Sequence, residues 1–115
     1  MHEFSIAVAI LELAQSHVPA GTTLQSVKVL AGPMRRVDPD AMQFAWQQAT
    51  LDTASDGATL ELQLPPWKLR CPDCRREWES DELYVKCQCG CEMPQPTGGD
   101  ELQLLWLTVS DPAPP

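Results

Sequence analysis

Apolar residues recur at helical spacing near the start of the chain. Phe4, Ala7, Val8, Leu11 and Val18 form one row, and Ile6, Ile10 and Leu13 form a second. Ser5, Glu12 and Ser16 leave only a narrow polar stripe, so the pattern predicts a helix over 4–18 packed on more than one side. Pro19 and Gly21 end it. Loose alternation around Val27 and Val29 predicts a strand over 24–31. Asp38-Pro39-Asp40 then reads as a helix start, with Asp38 as cap, Pro39 in the first helical position and Asp40 near the positive end of the dipole. Met42, Ala45, Trp46 and Ala49 follow at i, i+3, i+4 and i+7. Residues 52–57 read as loop, and 59–64 alternates cleanly with Leu60, Leu62 and Leu64 on one face until Pro65-Pro66 stops it.

Strand character resumes at Glu101 to Val109. Leu102, Leu104 and Trp106 fall on one face and Leu105, Leu107 and Val109 on the other, which places this strand inside a sheet. Between the strands at 59–64 and 101–109 lies a segment of different character, carrying all five cysteines: Cys71, Cys74, Cys87, Cys89 and Cys91. The order is helix, strand, helix, strand, cysteine-bearing insert, strand. It predicts an α+β fold of two helices on a small mixed three-stranded sheet, interrupted by a lobe. The body spans 1–65 and 97–112 and the lobe 66–96, with Pro65-Pro66 and the turn-rich 94–99 as hinges and 113–115 as an extended tail.

Cysteine spacing gives the lobe its chemistry. Cys71-Pro72-Asp73-Cys74 is followed, after residues 75–86, by Cys87-Gln88-Cys89-Gly90-Cys91. Two close thiol pairs separated by a loop of this size suit a tetrahedral structural zinc site of the knuckle or ribbon type. Zinc so held has no open position for a substrate. A redox Cys-x-x-Cys is the competing reading, but no strand–helix context of the thioredoxin kind surrounds it. Cys71 and Cys74 form one pair, while spacing allows Cys87 to pair with either Cys89 or Cys91. Gly90 would relieve crowding where the chain folds back towards the metal.

Charge and length narrow the function. The 115 residues carry 8 basic and 16 acidic side chains, a net charge of −8, which argues against a nucleic-acid partner. Lys68, Arg70, Arg75, Arg76 and Lys86 cluster near the cysteines, but Asp73, Glu77, Glu79, Asp81 and Glu82 balance them. These cations therefore suit a lobe built round an anionic thiolate centre better than a nucleic-acid patch. No apolar run approaches the roughly 20 residues that span a bilayer. Met1-His2-Glu3-Phe4 shows no cationic segment ahead of an apolar one, so a cytoplasmic protein with no membrane partner is expected. An odd cysteine count in that compartment speaks against a disulfide framework. No paired carboxylates in an apolar setting, nucleophile–His pattern or Gly-rich phosphate loop marks an enzyme, and His2 and His17 are the only imidazoles.

Met1-His2-Glu3 brings together an amine, backbone amide nitrogens, an imidazole and a carboxylate. Amine and imidazole can chelate one ion while the intervening amides complete a square-planar set, a geometry that selects Ni(II) or Cu(II) over zinc. Taken alone these residues describe a solvated terminus better than a metal site, and His17 reads as a surface residue near the helix end.

The ordered set of motifs resembles the HypA/HybF family of hydrogenase nickel-incorporation proteins. The resemblance runs from Met1-His2-Glu3-Phe4-Ser5-Ile6-Ala7 through Gly32, Val37-Asp38-Pro39-Asp40 and Phe44-Ala45-Trp46. It continues through Gly57-Ala58-Thr59-Leu60-Glu61-Leu62, Cys71-Pro72-Asp73-Cys74 and Gly99-Asp100-Glu101-Leu102, to about residue 110. Cys87-Gln88-Cys89-Gly90-Cys91 is similar to the family's shorter form, Cys-x-Cys-Gly-Ser, with Cys in place of Ser. The resemblance therefore implies zinc at Cys71, Cys74, Cys87 and Cys89, with Cys91 a spare or substitute ligand. It also implies a nickel metallochaperone, with Ni(II) as cargo at Met1, His2 and Glu3 and zinc as scaffold. The implied partners are a nickel-handling GTPase of the HypB type and a [NiFe]-hydrogenase large-subunit precursor, the chain itself acting as monomer or homodimer. A zinc-ribbon interaction module whose terminus binds no nickel is the alternative.

Overall fold

A computed structural model of the chain describes residues 2–111; the tail at 113–115 and Met1 lie outside the described residues. The described residues divide into two compact units. One comprises residues up to Leu30, Val37–Gln63 and Gln103 onward, and the other Ala31–Arg36 and Leu64–Leu102.

In the first unit, α1 (His2–Gln15) packs on α2 (Pro39–Thr50). The buried residues of α1 are Ile6, Ala7, Ile10, Leu11 and Ala14. They form one stripe, and the small Ala7 and Ala14, both fully buried, leave room for a close helix neighbour. Phe4 and Leu13 are exposed, while Ile6 and Ile10 of one row and Ala7 and Leu11 of the other are buried, so the two rows merge into a single covered face and the expected packing on more than one side does not occur. The helix also begins at His2 and ends at Gln15, leaving Ser16 and His17 in the turn that follows. Helix α2 starts as its sequence dictates. Asp38 accepts a hydrogen bond on Oδ2 from the Ala41 N–H at 2.8 Å, and Pro39 occupies the first turn. Such a cap is worth about 1 kcal/mol. Met42, Ala45, Trp46 and Thr50 form its buried face.

The first sheet has three strands in the order β2-β1-β6, with β1 Leu24–Ala31, β2 Thr59–Gln63 and β6 Leu102–Val109. Strands β1 and β2 run parallel, Val27 opposite Leu60 and Val29 opposite Leu62, with α2 in the crossover between them. Lys28 lies opposite Glu61 and pairs with it at 3.7 Å. Strand β6 lies on the other side of β1, antiparallel to it, with Ser110 N–H donating to the Thr23 carbonyl and the Ser26 and Thr108 hydroxyls in contact. The sheet is mixed. Its central strand is β1, which buries Leu24, Val27, Val29 and Ala31. The expectation that the final strand lies inside the sheet is therefore wrong: β6 is an edge. Its burial phase slips at Leu105 and Trp106, both more than 40% exposed, so its apolar residues do not mark two covered faces.

The second unit contains an antiparallel sheet in the order β4-β3-β5, with β3 Trp67–Arg70, β4 Glu77–Ser80 and β5 Gln95–Pro96. Leu69 is its one buried strand residue, and Lys68 and Arg70 stand opposite Glu79 and Glu77 in the register. Opposite charges in cross-strand positions account for the balanced charge of the lobe. Gly32 also belongs to this unit. Its N–H donates to the Glu101 carbonyl at 2.7 Å, and a Cβ there would overlap the Gly99 carbonyl and the Glu101 carboxylate. Both Glu101 carboxylate oxygens accept the Gly99 N–H at 3.1 Å; that bond, then Glu101's own N–H, holds the carboxyl below its ordinary range.

Trp46 is the largest fully buried side chain, and its indole N–H donates to the Ala58 carbonyl at 2.8 Å. Trp46→Phe keeps an aromatic ring but strands that carbonyl. It should lower stability to urea by about 1–3 kcal/mol, and an unchanged unfolding midpoint would contradict the role given to the bond.

Candidate metal centre

The cysteines sit on two tight turns. In the first, which follows β3, the Cys71 N–H donates to the Arg76 carbonyl and the Arg75 N–H to the Cys71 carbonyl, both at 2.9 Å. Arg75 takes a left-handed φ of 64°, and Arg76 lays its guanidinium over Trp78 at 4.8 Å. In the second turn, the Gly90 N–H donates to the Cys87 carbonyl and the Cys87 N–H to the Cys91 carbonyl, again at 2.9 Å. Gly90 has a φ of +101°, the conformation that the tight return of the chain requires and that its missing Cβ permits.

These turns bring Cys71, Cys74, Cys87 and Cys89 together, with all four sulfurs within 4.8 Å of one another. Cys71 and Cys89 sulfurs are 3.5 Å apart, and those of Cys74 and Cys87 3.6 Å. A zinc ion with four Zn–S bonds of about 2.3 Å separates its sulfurs by about 3.8 Å. The quartet therefore fits a tetrahedral thiolate site with little adjustment. Cys71 and Cys87 are buried, while Cys74 and Cys89 are exposed. Cys91 is not in the quartet. Its sulfur lies with Cys71 and the Asp73 carboxylate in a second group, also within 4.8 Å of one another. Sequence reasoning missed Asp73 as a donor, although it stands inside the Cys71-Pro72-Asp73-Cys74 motif.

Without metal, the thiols polarise one another. The Cys74 N–H, with help from that of Asp73, holds the Cys71 thiol down at about 6, against an ordinary 9.0. The Cys89 N–H lowers Cys87. Cys89 itself accepts the Cys91 N–H, which pulls it down, but the sulfurs of Cys71 and Cys87 outweigh this and push it up to about 12. Cys74 is also raised: the lowering by the Arg76 N–H is outweighed by burial and by the Cys87 and Cys71 sulfurs. Each diagonal contact thus pairs a sulfur held towards the thiolate form with one held towards the thiol. A metal ion held by all four sulfurs would displace the remaining thiol protons.

The residues at the start of the chain are elsewhere, in the first unit. His2 is exposed and opens α1, with its carbonyl accepting the Ser5 hydroxyl at 3.0 Å. Glu3 is half-buried, and its Oε2 accepts the Asp38 N–H over a long 3.4 Å, which ties the first turn of α1 to the cap of α2. The tripeptide is therefore partly built into a helix, where the sequence alone suggested a loose stretch. Met1 lies outside the described residues, and His17 is exposed beyond the end of α1.

Comparison with known proteins agrees with this architecture. The family model for hydrogenase/urease nickel incorporation, metallochaperone, hypA, matches residues 1–109. The hydrogenase maturation factor HypA of Dechloromonas aromatica (strain RCB) is 31% identical over 112 residues, which is 95% of this chain and 99% of that protein. That of Archaeoglobus fulgidus (strain ATCC 49558 / DSM 4304 / JCM 9628 / NBRC 100126 / VC-16) is 34% identical over 111 residues, 95% of this chain and 98% of its own. A solution structure of HypA protein covers 93% of this chain and 94% of its own at 25% identity, with a TM-score of 0.63. The solution structure of the Ni metallochaperone HypA from Helicobacter pylori, at 23% identity, a TM-score of 0.61 and 93% and 96% coverage, shares the fold.

The proton inventory sets the pH dependence of zinc uptake. Above about 6 Cys71 is already a thiolate, so zinc would displace protons from the other three thiols, those of Cys74 and Cys89 being the more tightly held. Below about 6 Cys71 is protonated as well, and one further proton must leave. Competition with a chromophoric chelator should show apparent zinc affinity falling with falling pH, and falling more steeply on the acid side of about 6. A slope that stays constant through that region would contradict the lowered Cys71 thiol.

Proposed function

The chain belongs to the HypA family, and from that premise we propose that it carries Ni(II) at its start and hands it on for [NiFe]-hydrogenase maturation. Zinc, held by Cys71, Cys74, Cys87 and Cys89, is the fixed ion of the lobe. The observation that carries this reading is the contrast between the two donor sets. Four sulfurs, two of them buried, stand at zinc spacing on two rigid turns, whereas His2 is exposed at the first residue of a helix.

Transfer demands a site that is reachable, releases its ion and exchanges ligands one at a time. The nitrogen donors of Met1 and His2 meet that demand, and in square-planar array they favour nickel over the zinc that the thiols select. Glu3 adds a carboxylate, at the expense of its long bond to the Asp38 N–H. Amine and imidazole ligate only when deprotonated, so nickel is released more readily as the medium becomes more acid. A thiolate-bound zinc is not suited to transfer: its binding energy, on the order of 10–16 kcal/mol, is spent in folding its own lobe.

The partners that match this activity are a nickel-handling GTPase of the HypB type as source and the hydrogenase large-subunit precursor as recipient. The family's description extends the recipients to urease. The protein acts in the cytoplasm as a carrier, without a catalytic step of its own and without a nucleic-acid partner. None of the helices among the described residues is long and apolar enough to cross a membrane. His2→Ala should abolish nickel uptake in untagged protein while leaving one equivalent of zinc and the fold intact, as read by calorimetry, metal analysis and circular dichroism. Extending the chain ahead of Met1, which turns its amine into an amide, should act in the same direction. Nickel affinity unchanged in His2→Ala would overturn the assignment and favour an interaction module that binds zinc alone.

A further inference from the structure

Cys71 belongs to two donor groups at once. Its sulfur is one corner of the quartet with Cys74, Cys87 and Cys89, and it also lies within 4.8 Å of both the Cys91 sulfur and the Asp73 carboxylate. Neither of these extra donors is placed by chance of a mobile loop. Asp73 is carried inside the first cysteine turn, whose ends are tied by the Cys71–Arg76 backbone bond. Cys91 closes the second, where its carbonyl accepts the Cys87 N–H at 2.9 Å. Asp73 is exposed and Cys91 half-buried, so this second group opens to solvent while the shared Cys71 is buried.

We propose that Cys71, Asp73 and Cys91 form a second metal site for a thiophilic divalent cation, joined to the zinc quartet through the Cys71 thiolate as a bridge. A thiolate sulfur has lone pairs enough to serve two soft cations. Cys91 supplies a terminal thiolate and Asp73 a carboxylate oxygen, which makes three protein donors and leaves a position for water, as in exchangeable rather than structural sites. Electrostatics permits the second ion. Four thiolates and one divalent ion leave two negative charges; the Cys91 thiolate and the Asp73 carboxylate neutralise the second ion, so that excess is unchanged. Mixed sulfur and oxygen donors suit Zn(II) or Cd(II) here, and do not offer the square-planar nitrogen set that selects nickel. The bridged site rests on the assignment of the quartet as a zinc site, and the experiment separates the two.

The full chain is titrated with Zn(II) and, separately, with Cd(II), fully reduced and in a His2→Ala background that removes the nitrogen site from the count. Equilibrium dialysis gives the stoichiometry, and cadmium NMR with thiolate-to-metal absorption gives the donors. The expected result is two equivalents, the second weaker, with one all-sulfur cadmium signal and one of mixed sulfur and oxygen. Cys91→Ser and Asp73→Asn should each retain the first equivalent and weaken the second tenfold or more. A parent protein that stops at one equivalent, or variants that keep the second undiminished, would overturn the bridged site while leaving the quartet standing. Loss of the first equivalent in Cys91→Ser would place Cys91 in the quartet and overturn it too, and a parent that binds no ion would remove quartet and bridge together.

Discussion

Between Leu64 and Pro96 the chain buries only Leu69 and the two cysteines Cys71 and Cys87. One aliphatic side chain cannot offset the entropy of ordering so many residues, at about 1–2 kcal/mol each for the backbone. Short strands add little, since β3 and β4 have four residues each and β5 two. What remains is the cluster of four sulfurs, which can hold a common ion. The turns, the left-handed Arg75 and the positive φ of Gly90 are the backbone's accommodation to that one demand.

The first unit is stabilised by different means. Ile6, Ala7, Ile10 and Leu11 of α1, Met42 and Trp46 of α2, and Val27 and Val29 of β1 form an ordinary apolar core that needs no ion. Donor groups at the leading end of α1 can then be changed, loaded or emptied at little cost to folding. On the proposed reading the two metals would have different standing, one a condition of structure and the other freight.

Local signals were legible where one residue type has one physical use. Asp38-Pro39 could only begin a helix, Pro65-Pro66 had to stop a strand, and the Cys-Pro-Asp-Cys spacing announced a knuckle. Questions of neighbourhood were not legible in the same way. A run such as Leu104-Leu105-Trp106-Leu107 looks identical whether its strand is flanked on both sides or on one, and only the topology puts it at the edge. The spacing in α1 likewise did not show that its two apolar rows merge into one covered face with Phe4 and Leu13 left open. In the metal lobe, strands this short carry no periodicity to detect. The approach of Asp73 to Cys91, distant in sequence, depends on two turns closing at once.

The placement of the indoles has an optical consequence. Trp46 is sealed inside the helical unit, whereas Trp67 and Trp78 are half-buried on the β3–β4 ladder of the lobe and Trp106 is largely open on β6. Emission from a sealed indole lies towards the blue, and that from wetter ones towards the red. The blue component of tryptophan fluorescence therefore reports on the core of the first unit alone, so its loss marks melting of that core without any added dye, while the red component sums Trp67 and Trp78 of the lobe with Trp106 of the first unit.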